Sequence, residues 1–151
     1  MLQKKKFLFT ILAVVVVLLV WVGYSVNQPP KWTGATEDGQ WRAEYDYTTK
    51  GDPRDDWLGN VYWQGEGEVS LIEVEFTKNG ELFHKAEYYG EAILSKKHNS
   101  QLFFHTFEAM FSDKNDRLQL TIRWEDDAGA YEDKIDLTPK NHYFFIPVFL
   151  R

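Results

Sequence analysis

The sequence contains no cysteine among its 151 residues. Disulfide bonds, cysteine-ligated metals, a cysteine nucleophile and a lipid-modified cysteine are therefore excluded. The G-x-S-x-G, P-loop and H-E-x-x-H motifs are also missing, and the four histidines form no His-x-His or His-x-x-x-His pair. These absences argue against an enzyme and against a zinc site, so we expect no catalytic residue and no cofactor.

Acidic residues are missing from the start of the chain, because all 23 Asp and Glu follow residue 30. Three lysines (4–6) are instead found there, and an uncharged stretch of 20 residues, 7–26, follows them. A helix of that length crosses a hydrocarbon core of roughly 30 Å. The lysines predict a cytoplasmic N-terminus, and Trp21 and Tyr24 lie where aromatic belts form. The pattern predicts a cytoplasmic stub over 1–6 and a transmembrane helix over 7–26.

A cleaved signal peptide is the alternative for this stretch. Its apolar core usually spans only ~7–15 residues before small residues at the cleavage site. Here the run is longer, and bulky Trp21 and Tyr24 stand where small residues are needed, so we expect a retained single-pass anchor. Residues 27–31 then form a short linker, because Pro29 and Pro30 disfavour a helix. The following domain is expected close to the membrane, on its extracytoplasmic side.

The part of the chain beyond the membrane segment is strongly acidic. It has 14 basic and 23 acidic residues, a net charge of −9. A body this acidic is a poor candidate for binding nucleic acid or anionic lipid. We therefore expect no nucleic-acid partner.

Residues 32–151 show little helical periodicity and frequent alternation of apolar and polar residues. WRAEYDYT, VSLIEVEFT and RLQLTIRWE alternate in this way, which places Ile72 toward the core and Glu73 toward solvent. Asn79-Gly80 is a strong hairpin signal, because both residues accept positive φ. Eight or nine such segments predict one all-β domain over 32–151, an antiparallel β-sandwich of immunoglobulin-like or related type.

Two short motifs resemble those of known families. The segment LTPKNHY resembles the tyrosine corner of fibronectin type III modules, which implies a sandwich. An anchor, a Pro-containing linker and the pattern W-x-G-x-[ST]-E…W resemble the start of small membrane-anchored extracytoplasmic proteins of Gram-positive bacilli; the matching residues are Trp32, Gly34, Thr36, Glu37 and Trp41. That resemblance implies an extracytoplasmic location and a β-sandwich fold. It does not imply any particular activity.

Five of the six tryptophans lie beyond the membrane segment, where they could form a sugar-binding platform or a core. Trp41 and Trp124 alternate in phase with the apolar residues of their strands, so we expect them in the core. We expect Trp32 to pack over the end of the sandwich. Exposed Trp57, Tyr62 and Trp63 would instead support binding of a carbohydrate or cell-wall polymer.

Acidic side chains raise two further alternatives. Asp113, Asn115 and Asp116 in the loop SDKND offer oxygens that could hold calcium, although turns favour such residues anyway. Glu73 and Glu75 alternate along one strand. We interpret them as part of a solvated sheet surface rather than as the acid pair of a glycosidase.

The segment YFFIPVFLR is apolar on both faces of an expected last strand, where a sandwich strand should have a polar side. Pro147 cannot donate to a ladder, so it belongs on an edge strand or at a bulge. We expect one face in the core (Phe144, Ile146, Val148 and Leu150). The other face (Tyr143, Phe145 and Phe149) is then a candidate docking patch, unless the region EAILSKKHNS covers it.

The sequence thus predicts a membrane-anchored extracytoplasmic binding module at the cell envelope. Its partner would be an unknown protein or a second copy of the chain. The alternative is binding of a carbohydrate or cell-wall polymer through exposed aromatic residues, and the third possibility is a small hydrolase.

Overall fold

The computed structural model of the chain describes residues 2–48 and 56–146. One helix, α1 (Leu2–Val26), precedes eight strands with these bounds: β1 (Lys31–Ala35), β2 (Trp41–Thr48), β3 (Asp56–Trp63), β4 (Val69–Lys78), β5 (Glu81–Leu94), β6 (Ser100–Thr106), β7 (Leu118–Asp126) and β8 (Gly129–Lys140). The predicted all-β fold behind an N-terminal helix is confirmed. Over Lys4–Val26, α1 is long and apolar enough to cross a membrane.

The strands form one antiparallel sheet in the order β5-β4-β7-β8-β1-β2-β3-β6. Strand β8 joins its two halves, because residues 129–137 pair with β7 and residues 138–140 pair with β1. The halves face each other across the core, where Trp41 of β2 meets Trp124 of β7 and Phe76 of β4 meets Phe103 of β6. The sheet is therefore curled into a nearly closed barrel with two facing layers, in agreement with the predicted sandwich.

Aromatic rings fill the core from end to end. Trp41, Trp63 and Trp124 form a cluster in which each ring lies within 5.1–6.1 Å of the other two. The core positions predicted for Trp41 and Trp124 are confirmed, since both are buried. Trp32 is also fully buried, and its indole N–H donates to the carbonyl oxygen of Phe111 at 3.0 Å. The indole rings of WTGATEDGQW thus belong to the core.

The loop between β1 and β2 is closed by its own polar residues. The Thr36 hydroxyl donates to Asp38 Oδ1 at 2.6 Å and accepts from the backbone N–H of Trp41 at 3.1 Å. Asp38 Oδ1 also accepts from the N–H of Gln40, and these bonds hold the pKa of Asp38 below its usual value. Gly39 supplies the positive φ, 72°, that the turn requires.

A β-bulge in β4 changes the expected position of Ile72. The register shifts between Leu71 and Glu73 in the pairing of β4 with both β5 and β7. Because the bulge inserts one extra residue, Ile72 is only half-buried and does not join the core. Glu73 is 8% exposed, because Arg123 and Lys85 cover its carboxylate on the outer face of the sheet. The prediction for Ile72 was wrong, since strict alternation assumes an uninterrupted ladder.

Two further segments differ from their predicted strands. LFHKAEYY and the first four residues of EAILSK belong to one strand, β5, and Thr138, Pro139 and Lys140 belong to β8. Pro139 pairs with Trp32 of β1, and Tyr143 is exposed. The first part of LTPKNHY therefore belongs to β8, and its resemblance to a tyrosine corner stays a prediction.

Candidate functional site

Residues 141–146 lie outside the sheet, where a last strand was predicted. Phe144 and Ile146 are 74% and 51% exposed, so their predicted place in the core was wrong. Tyr143 is exposed, as the docking patch requires, whereas Phe145 is half-buried. Phe149, together with Pro147, Val148 and Leu150, lies outside the described residues. Residues 143–146, which are apolar on both faces, thus form a segment beside the barrel and not a strand of the sheet.

The end of α1 holds this segment in place. The backbone N–H of Phe145 donates to Ser25 Oγ at 2.9 Å, and Ser25 Oγ donates to the carbonyl oxygen of Trp21 at 2.9 Å. Ser25 is fully buried, whereas the side chains of residues 4–20 are all exposed. The Phe145 ring packs on Tyr47, with 5.2 Å between ring centres. The last turns of α1, the barrel and residues 141–146 therefore meet at one end of the domain.

Three lysines surround a cavity of about 800 Å³ at the same end. Lys31, Lys114 and Lys140 line it beside Tyr143 and Phe144. Lys114 Nζ donates to the amide oxygen of Asn141 at 2.6 Å, which fixes its position. Basic and exposed aromatic side chains are therefore adjacent on a domain whose overall charge is negative.

An acid–base pair lies just inside this surface. His142 Nε2 is 3.5 Å from Asp46 Oδ1, and Lys31 Nζ is 3.7 Å from Asp46 Oδ2. Burial lowers the pKa of His142, and the Asp46 carboxylate opposes that effect. Burial likewise raises the pKa of Asp46, against the influence of His142 and Lys31. Partial burial of the pair thus favours its neutral forms.

The predicted aromatic sugar platform is not formed. Trp57 and Trp63 are each only 4% exposed, because their faces of β3 point into the core. Tyr62 is half-buried, and its hydroxyl donates to Glu44 Oε1 at 2.6 Å. Burial and the Glu44 carboxylate raise the pKa of Tyr62 far above its ordinary value. These three residues stabilise the barrel and leave no broad ring face open to a ligand.

The loop proposed for calcium uses its oxygens internally. Asp113 Oδ1 accepts from the backbone N–H and the side-chain amide of Asn115 at 2.9 and 3.0 Å. Asp116 accepts from the Asn79 amide at 3.0 Å and lies 3.0 Å from Lys78 Nζ. Across residues 2–48 and 56–146, no group of three His, Cys, Asp or Glu side chains could hold a metal ion. The carboxylates therefore act as turn and ion-pair partners.

The acid pair of β4 belongs to an ion-pair network on the outside of the barrel. Arg123 binds Glu73 and lies 3.4 Å from Glu75 and 2.9 Å from Glu132, while Lys85 lies 2.7 Å from Glu73. Glu73 and Glu75 thus engage the same guanidinium group. This arrangement agrees with a structural role for Glu73 and Glu75.

A seam between β5 and β6 is a feature that sequence reasoning missed. These strands stand at opposite ends of the sheet order, and among the described residues no ladder joins them. The Tyr88 hydroxyl bridges the gap by donating to the carbonyl oxygen of Leu102 at 2.9 Å. Leu82 and Ile93 on β5 and Leu102 on β6 are exposed apolar residues. Apolar side chains are therefore exposed along two strands that no ladder joins.

Tyr89 lies in the middle of β5 in an unusual conformation. Its φ is 48° and that of Gly90 is 82°, so two successive residues occupy the left-handed region. The ladder with β4 passes from Glu87 to Ala92, which leaves residues 88–91 without ladder partners on that strand. The Tyr89 side chain is 84% exposed. Tyr89-Gly90 within AEYYGEAIL is the sequence signal that could have revealed this bulge.

Comparison of the chain with protein-family models, with curated proteins and with solved structures finds no match.

Proposed function

We propose that this protein is a membrane-anchored, extracytoplasmic protein-interaction module. The open seam between β5 and β6 carries the proposal. Edge strands present unpaired N–H and C=O groups that can pair with an extended segment of another chain. Apolar pockets or side chains beside the edge then provide specificity.

Exposed apolar residues of β5 support binding at this edge. Leu82, Phe83 and Ile93 are solvent-exposed. Charged residues of the same strand are exposed beside them: Glu81, Lys85, Glu87 and Glu91. Tyr89 adds an exposed ring on a strained backbone, and strain of this kind clusters at functional positions. We propose that an extended segment of a partner protein adds to β5, with Ile93 and Tyr89 as contact residues.

Anchoring and orientation rest on α1 and its charges. The helix is long enough to span a bilayer, and its three lysines precede the apolar run. The positive-inside rule then assigns the lysines to the cytoplasm and the barrel to the other side. A partner in the membrane or the cell envelope is consistent with the short linker, residues 27–30, between α1 and β1.

The other two hypotheses receive less support. Carbohydrate binding required exposed Trp57, Tyr62 and Trp63, which are instead buried or half-buried. Hydrolysis required an acid with an open approach, whereas Glu73 and Glu75 are engaged by Arg123.

The test is site-specific photocrosslinking in intact cells that produce the full chain. A photoreactive phenylalanine analogue at Ile93 should give a discrete crosslinked product with another protein. The same analogue at Tyr131, an exposed aromatic position on β8, is the matched control and should give none.

A second variant tests the edge itself. Ile93→Lys places a charge on the exposed edge, which should abolish the crosslink from a probe at Tyr89 without lowering the melting temperature. Equal crosslinking at Ile93 and Tyr131, or crosslinking from Tyr89 that survives Ile93→Lys, would overturn the proposal.

A further inference from the structure

Contacts with α1 fix the level of residues 144–146 along the helix axis. The bond from the Phe145 N–H reaches Ser25, the last residue but one of α1. The Phe145 ring also packs on His142, with 5.5 Å between ring centres. The segment therefore cannot shift along the helix without breaking buried contacts.

The length of α1 gives the depth of this segment relative to the membrane. Residues 7–26 rise about 1.5 Å each and span about 30 Å, the thickness of the hydrocarbon core. With the three lysines in one headgroup layer, Val26 reaches the opposite hydrocarbon boundary. Ser25 and its partner Phe145 then lie at that boundary. Exposed Phe144 and Ile146, on either side of Phe145, are placed where they meet lipid.

Charge at this end complements the lipid headgroups. Lys31, Lys114 and Lys140 line the cavity next to Tyr143 and Phe144, so basic side chains adjoin the apolar ones. The net charge of −9 argued against anionic lipid, but these lysines act locally. Each basic residue near an anionic surface strengthens binding roughly fivefold. Aromatic rings at the boundary with lysines beside them match the layering of a bilayer surface.

We propose that residues 141–146 and the three lysines form a second membrane contact of this chain. The Phe144 and Ile146 side chains enter the hydrocarbon boundary, and the lysines bind phosphates of anionic lipid headgroups. This inference depends on the proposed anchoring by α1. It explains why the segment is apolar on both faces, since one face meets the barrel and the other meets lipid.

The absence of cysteine permits a direct depth measurement on the full chain. Phe144→Cys, labelled with an environment-sensitive fluorophore, is reconstituted in nanodiscs of equal parts phosphatidylcholine and phosphatidylglycerol. Doxyl-labelled lipid and aqueous iodide serve as quenchers. The matched control is Ile93→Cys, which replaces a similarly exposed apolar residue on β5. Val15→Cys in α1 reports whether the helix itself is in the bilayer.

Lipid quenching should dominate for the label at position 144 and iodide quenching for the label at position 93. Equal iodide quenching at both positions, with the label at position 15 quenched by lipid, would overturn the second contact while leaving the anchor intact. Iodide quenching at position 15 would overturn the anchor and this inference together. The crosslinking test of the seam is independent of both outcomes.

Headgroup binding is tested by changing charge and lipid together. Lipid quenching at position 144 should be stronger with phosphatidylglycerol present than in pure phosphatidylcholine. Lys114→Gln with Lys140→Gln should remove that gain, whereas Lys97→Gln with Lys134→Gln, both at exposed positions away from the cavity, should retain it. Equal quenching of the parent in both lipids would overturn the role of the lysines.

Discussion

Replacing Trp41 with Ala should destabilise the barrel more than a change at its rim. Trp41 is fully buried between Trp63 and Trp124, at 5.1 and 6.1 Å between ring centres. Truncation of a buried Trp or Phe costs about 3–5 kcal/mol, and the loss of two ring pairs places Trp41 near the upper end of that range. Typical domains have only about 5–15 kcal/mol of stability in total. With roughly 4 °C per kcal/mol, the melting temperature should fall by about 15–20 °C.

Thermal unfolding of the full chain in detergent micelles, followed by near-ultraviolet circular dichroism, measures this change. Trp41→Phe is the matched control. The indole N–H of Trp41 is buried and has no acceptor among the described residues, so its removal relieves an unpaired donor. We expect Trp41→Phe to cost less than about 1.5 kcal/mol, and Tyr131→Ala at the exposed rim to cost about 1 kcal/mol. If Trp41→Ala melts within about 2 °C of the parent, or if Phe is as damaging as Ala, the packing argument is refuted.

Three further changes test other parts of the domain by the same unfolding assay. Gly34→Ala should cost about 1–3 kcal/mol, because an added Cβ would collide with the backbone carbonyl of Asp136 on β8; an unchanged melting temperature would contradict this close approach. Thr36→Val should cost about 1–3 kcal/mol, because it leaves the buried N–H of Trp41 without its acceptor, whereas Thr36→Ser should be much milder. His142→Asn tests a pH effect. The folded-state pKa of His142 lies below ~6.5, so the unfolded chain takes up the proton first and stability falls as pH drops below ~6.5. The variant should show a smaller fall between pH ~7 and ~5.5, and identical pH profiles would contradict the assignment.

The general architecture follows from local patterns in the sequence. WRAEYDYT and RLQLTIRWE predict β2 and β7 because each alternates without interruption and forms a regular ladder. Trp41 and Trp124 could be placed in the core for the same reason. These predictions need only the period-two geometry of a strand, which each short segment carries by itself.

Features that depend on neighbouring strands could not be predicted in this way. The bulge at Ile72 appears only when β4 is aligned with β5 and β7, and it leaves Ile72 out of the core. The seam depends on β5 and β6 being the last strands at both ends of the sheet order. Residues 143–146 seemed to be a strand because they are apolar, but their partners are the end of α1 and the outside of the barrel. Long-range contacts decide all three features.

The pairing of β1 with β8 means that this domain cannot complete its folding until β8 has been synthesised. Thr138 Oγ1 donates to the carbonyl oxygen of Thr33, a bond that spans 105 positions of the chain. Such distant contacts slow folding, because loop closure must precede the interactions that offset it. Synthesis at about 5–20 residues per second separates β1 from β8 by roughly 5–20 s. During that interval β1 has no partner on its β8 side, and the buried tryptophans of β1 and β2 lack part of their cover. The barrel is therefore expected to close only after residue 140 has been synthesised.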